Sequence, residues 1–96
     1  MVKYLVLGGG GVFANQTSKF LLEQKTTKKV IAVGRNPRLP ECYSLNVGLN
    51  DKKYEYHQIH IVFELDRLIT LIDKIKPDYI INFAAIAYAT SWVGSH

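Results

Sequence analysis

Residues 1–24 read MVKYLVLGGGGVFANQTSKFLLEQ: an apolar run, four consecutive glycines, then an amphipathic run. Val2 to Leu7 is short, apolar, partly β-branched and stopped by glycine, which predicts a buried strand. From Val12 to Gln24 the apolar positions Val12, Phe13, Phe20, Leu21 and Leu22 predict a helix. Glycines between two ordered segments have two readings. They form a flexible link, or they leave the backbone bare where something must approach it closely.

Further along, Val30-Ile31-Ala32-Val33 is a second short apolar run ended by Gly34, preceded by a polar stop from Lys25 to Lys29. Arg35 to Lys53 carries Pro37, Pro40, Asn46, Gly48, Asn50 and Asp51 and predicts a long connection with at most a short helix. Tyr54 to Ile61 fits a third strand. Glu64 to Lys76 places Leu65, Leu68, Ile69, Ile72 and Ile75 at helical spacing, and Pro77 closes it. Asp78 to Phe83 is a fourth strand, and Ala84 starts what reads as another helix. The order β-α-β-(loop)-β-α-β predicts an α/β fold, a Rossmann-like doubly wound parallel sheet with flanking helices. Four strands in the order 3-2-1-4 make up most, but not all, of such a domain.

Composition sets limits on function. The chain has 96 residues, 48% of them hydrophobic and 21% charged, which describes one modest globular domain with a thin stability margin. No apolar stretch approaches the roughly 20 residues that cross a bilayer, and glycine interrupts the N-terminal apolar run too early for an export signal. A single cysteine, Cys42, forms no internal disulfide, so a cytoplasmic location is expected. The net charge of +4 is spread over small lysine groups at expected helix ends and loops. That argues for solvated surface rather than a nucleic-acid-binding stripe, with attraction to a phosphorylated ligand as the lesser inference.

In a β-α-β setting the glycines acquire a purpose. A glycine turn after the first strand lets the backbone approach a pyrophosphate, and the helix N-terminus offers free N–H groups and a positive dipole end. The spacing is Gly8-x-x-Gly11-x-x-Ala14. A side chain at Gly8 or Gly11 is expected to obstruct the turn or the ligand, whereas Ala14 is small enough for close packing of helix on strand. Gly34 lies 20 residues beyond Ala14, the separation of a ribose-reading position.

Three blocks carry a resemblance. Leu7-Gly8-Gly9-Gly10-Gly11-Val12-Phe13-Ala14-Asn15 resembles the T-G-G-A-G-F-I-G-S stretch of the extended short-chain dehydrogenase/reductases, the NAD(P)-dependent nucleotide-sugar epimerases and dehydratases. Lys76-Pro77-Asp78-Tyr79-Ile80-Ile81-Asn82-Phe83-Ala84-Ala85 is similar to that family's K-P-D-x-V-I-H/N-L-A-A. His60-Ile61 with Leu65-Asp66-Arg67-Leu68 resembles its D-I/L-T-D-x-x-x-L segment. In order and spacing, the three cover nearly all of the chain.

The resemblance implies that N–H groups around Val12 and Phe13 contact a cofactor pyrophosphate. Relatives that prefer NAD end the second strand in an acidic residue; here Gly34 is followed by Arg35 and Asn36. A guanidinium in place of a carboxylate favours NADP over NAD, because arginine holds a phosphate bidentately and stacks on adenine. Arg38 is placed to assist. The plainer reading of Arg35 is the start of a solvated loop. His60 stands where relatives carry an Asp that binds the adenine amino group; its imidazole either accepts that bond or faces solvent, and Ile61 offers its backbone N–H to the base. Ala84 and Ala85 would lie under the cofactor, a role compatible with helix–sheet packing. Ser91 and Trp92 receive no catalytic role, and no spacing resembles a metal site.

The family's chemistry rests on a Tyr-x-x-x-Lys pair in which lysine lowers the tyrosine pKa. None of the six tyrosines here has lysine four residues on. Residues 1–96 are therefore expected to be the N-terminal portion of an NAD(P)-binding domain, with catalytic and substrate-binding parts absent and no catalysis by itself. The complete protein would be an oxidoreductase, epimerase or dehydratase taking a nucleotide sugar. Two other classes stay open: a non-catalytic NADP-sensing module, and a small interaction protein that binds no cofactor. With the later strands absent, the apolar Tyr79–Phe83 strand is expected to be an edge open to a second copy or a completing chain, and the interaction protein would pair through it.

Overall fold

The computed structural model describes residues 1–8, 11–37 and 52–83. Within them, β1 (Val2–Leu7), α1 (Val12–Leu22), β2 (Thr27–Gly34), β3 (Tyr54–Gln58), α2 (Leu65–Ile75) and β4 (Tyr79–Asn82) follow in chain order. The four strands form one parallel sheet in the order β3-β2-β1-β4. This is the doubly wound α/β arrangement that the alternation of elements predicts. Ala84, Ala85, Arg38, Cys42, Ser91 and Trp92 lie outside the described residues.

The central strands are apolar on both faces because helices cover both. Leu5, Leu7, Ile31, Val33 and Ile59 pack with Leu68 of α2, and Ile72 and Ile75 close over them. On the other face Val6 and Val30 pack with Ala14 and Leu21 of α1. This explains why β1 and β2 read as continuous apolar runs rather than alternating ones.

Several boundaries differ from expectation. β2 begins at Thr27, not Val30, so Lys28 and Lys29 belong to the strand. Thr27 is fully buried, with its hydroxyl donating to the Leu21 carbonyl at 2.6 Å, which both ends α1 and starts β2. Lys29 is accommodated by an ion pair to Glu55 of β3, and that pairing holds the Glu55 carboxyl below its usual range. β3 stops at Gln58, because Ile59 turns into the core and His60 opens a turn. α1 ends at Leu22 rather than Gln24.

The buried face of α1 also departs from the simple apolar pattern. Ala14, Asn15, Ser18 and Leu21 are buried, whereas Val12, Phe13 and Phe20 are exposed. Small residues let the helix lie close on the sheet, and the Ser18 hydroxyl donates back to the Ala14 carbonyl at 2.8 Å. The expected close packing at Ala14 is present: it is 1% exposed.

α2 ends where Lys76 adopts a left-handed conformation (φ 52°), its N–H donating to the Ile72 carbonyl, and Pro77 follows. Lys3 and Asp78 then fix β4 beside β1. The Lys3 N–H donates to the Asp78 carboxylate at 2.8 Å, the Asp78 N–H donates to the Lys3 carbonyl at 2.9 Å, and the Lys3 ammonium donates to the Ile75 carbonyl. Among the described residues β4 pairs only with β1, leaving Tyr79 and Ile80 exposed on the outer strand.

One core group is left without its partner. The Tyr54 ring packs in the α1-side cluster, and its hydroxyl is shielded from solvent with no hydrogen bond among the described residues. Burial, with the Tyr56 phenol adding repulsion, pushes its ionisation well above the usual tyrosine range. Tyr54→Phe removes only that hydroxyl and is expected to raise unfolding stability by about 1 kcal/mol, read as a higher urea midpoint at unchanged slope.

Candidate functional site

In a parallel sheet all strand carboxyl ends lie along one edge. Here that edge brings together the Gly8–Gly11 turn, the N-terminus of α1, the Gly34–Arg35–Asn36 corner and the His60–Ile61 turn. Ligands of open α/β sheets bind in the crevice at this edge, where the strand order reverses. Here β1 lies between β2 and β4, so the reversal falls at the end of β1.

The turn after β1 is anchored at both ends. The Gly8 N–H donates to the Val33 carbonyl at 2.9 Å, and the Gly11 N–H donates to the Gly8 carbonyl at 3.1 Å. Gly8 has φ 81°, a left-handed conformation that a side chain disfavours. Gly11 is different: among the described residues nothing in the turn excludes a side chain there, which leaves obstruction of a ligand as the expected reason for glycine. Its backbone is extended (φ −90°, ψ 164°), and among the described residues a Cβ there would meet only the Gly8 carbonyl oxygen at 3.5 Å, an ordinary contact. The fold needs glycine at position 8; at position 11 only an incoming ligand would. Gly8→Ala is accordingly expected to cost about 1–2 kcal/mol of stability and Gly11→Ala less than about 1 kcal/mol, compared by urea denaturation.

Gly11 occupies the N-cap of α1 and supplies no side-chain cap, and no acidic residue sits in the first turn. The first-turn N–H groups, including those of Val12 and Phe13, are therefore presented outward with the positive end of the helix dipole. The Val12 and Phe13 side chains are exposed.

At the neighbouring corner the backbone ladder finishes with the Ile59 N–H donating to the Gly34 carbonyl at 2.9 Å. Beyond it Arg35 and Asn36 are exposed, and Arg35 has no ion-pair partner among the described residues. Two β3 side chains reach this corner. Gln58 Nε2 donates to the Arg35 carbonyl at 3.2 Å, and the Tyr56 hydroxyl donates to the Asn36 carbonyl at 2.9 Å. Sequence reading missed both, because their partners are backbone atoms beyond the end of β2, 23 and 20 residues away in the chain.

His60 is part of a tight turn into α2. Its Nδ1 accepts from the Val62 and Phe63 N–H groups at 3.3 and 3.2 Å, and its ring lies 4.5 Å from that of Phe63. Its own N–H donates to the Glu64 carboxylate at 2.9 Å. That bond and the Arg67 guanidinium hold the Glu64 carboxyl below its usual range. With Nδ1 accepting, a neutral imidazole carries its proton on Nε2, so the nitrogen left for a ligand is a donor. An acceptor for an adenine amino group, one of the two sequence expectations for His60, is not what this arrangement offers. Ile61 is half-buried against the core, and its N–H has no hydrogen-bond partner among the described residues.

The edge thus defines a class: a doubly wound α/β protein with an uncapped helix N-terminus behind a glycine turn and a cation at the adjoining strand end. No family model matches the chain, and no curated protein matches it in sequence. No helix among the described residues is long and apolar enough to cross a membrane, and no group of metal-ligating side chains occurs among them.

Proposed function

We propose that the chain binds NADP(H) in preference to NAD(H), as the cofactor-binding N-terminal part of an epimerase, dehydratase or reductase acting on a nucleotide sugar. The observation that carries this reading is the pairing of the uncapped α1 N-terminus, behind left-handed Gly8, with the exposed Arg35 corner on the same sheet edge. The first suits a pyrophosphate, the second a ribose 2′-phosphate. The substrate class is supported by the sequence resemblance alone. Within residues 1–96 no side chain is assigned a catalytic role; the proton-transferring pair would lie elsewhere in the complete protein.

Calorimetric titration of the 96-residue chain with each dinucleotide tests the proposal. NADP+ is expected to bind at least about tenfold more tightly than NAD+. Equal affinities would remove the role given to Arg35, and no binding of either at millimolar concentration would overturn the reading.

A second reading is favoured by β4, whose exposed Tyr79 and Ile80 sit on a strand paired on one side among the described residues. Such an edge accepts a further strand from a second copy or a completing chain. Sedimentation across a wide concentration range is expected to show association that Ile80→Lys abolishes; a monomer at all concentrations contradicts it.

A further inference from the structure

We propose that Tyr56 and Gln58 are positioning residues that fix the Arg35–Asn36 backbone and thereby set selectivity for a 2′-phosphorylated ribose; this rests on the cofactor reading above. Gly34 and Gln58 are the last register partners of β2 and β3. β2 ends there, and among the described residues the next two carbonyls, of Arg35 and Asn36, have no strand opposite them. Tyr56 and Gln58, two residues apart and so on the same face of β3, supply the donors instead. Side chains continue the ladder where backbone no longer does.

The consequence is geometric. Anchoring two successive carbonyls fixes two peptide planes, the Arg35–Asn36 plane and the Asn36–Pro37 plane. Fixing both constrains the backbone dihedrals of Asn36 between them and the direction in which the Arg35 and Asn36 side chains leave the chain. Pro37 restricts Asn36 further, to extended conformations. An arginine is long and rotamer-rich, and its selectivity for a bidentate phosphate contact depends on how little freedom remains to be lost on binding. Burial raises the Tyr56 phenol pKa, so the hydroxyl stays protonated and able to donate across neutral pH.

The test compares wild type, Tyr56→Phe, Gln58→Leu and the double variant by two independent measurements. Titrations with NADP+ and NAD+ are expected to show about fivefold weaker NADP+ binding in each single variant, with NAD+ affinity nearly unchanged, so that the ratio shrinks. A fall in both affinities together, or an unchanged ratio, overturns the proposal, because a merely structural role lowers both. Backbone 15N relaxation without ligand is expected to show increased sub-nanosecond motion at Arg35 and Asn36 in the variants and none at Val30 to Val33. Unaltered order at Arg35 and Asn36 overturns the positioning role whatever binds. If wild type binds neither dinucleotide, the cofactor reading fails and the selectivity role with it, while the relaxation data still judge the backbone anchoring separately.

Discussion

Replacing Gly11 with valine is expected to leave the chain folded while lowering its affinity for NADP(H) about a hundredfold. The two halves of that expectation have separate causes. Position 11 has an extended backbone, and among the described residues the only atom near an added Cβ is the Gly8 carbonyl oxygen at 3.5 Å. Valine is a poor N-cap, yet glycine offers no side-chain cap to lose, so the stability cost stays below about 1 kcal/mol. A pyrophosphate resting on the first turn of α1, however, must approach the backbone at Gly11 to within hydrogen-bond distance of the N–H groups. A branched side chain there occupies the approach. Thermal unfolding with calorimetric titration of the same sample reads both halves. Retained affinity in a folded Gly11→Val chain would place any nucleotide elsewhere.

Arg35→Asp is expected to invert cofactor preference, weakening NADP(H) about a hundredfold while leaving NAD(H) equal or tighter. The guanidinium is exposed at the end of β2, without an ion-pair partner among the described residues, so its removal breaks no ion pair among them. What is lost is a charge-assisted hydrogen bond of about 1.5–3 kcal/mol. Added to it is repulsion between a carboxylate and a 2′-phosphate, while the same carboxylate accepts hydrogen bonds from unphosphorylated ribose hydroxyls. An equal loss of both dinucleotides would mean that Arg35 does not distinguish them.

Much of the architecture is legible in the sequence because it rests on local signals. The apolar runs of β1 and β2, the helical spacing of Leu65 to Ile75 and the stop at Pro77 each declare themselves within a dozen residues, and their alternation leads to the 3-2-1-4 sheet. What stays hidden is set by partners remote in the chain. Lys29 reads as part of a polar stop until Glu55 is placed beside it. The apolar positions Phe13 and Phe20 point to a helix without giving its buried face, and the sheet takes Ala14 and Ser18 because close packing favours small residues there. Tyr56 and Gln58 look like ordinary strand residues, and only the fold brings them to carbonyls 20 and 23 positions away. His60 is a middle case. A polar residue followed by Glu64 just before an apolar helix resembles a capping pattern, a signal within reach of sequence reading.

The same distinction separates Gly8 from Gly11. The glycine run marks both equally, but φ 81° makes Gly8 a requirement of the fold, and Gly11 is left for function to explain. That makes the amide signals of this turn the most direct witnesses to the account. In a titration of the 15N-labelled chain with NADP+, the account predicts the largest shifts at Gly8, Gly11, Val12 and Phe13, with a second group at Arg35 and Asn36. Shifts confined to β4, or no shifts at millimolar NADP+, would contradict it.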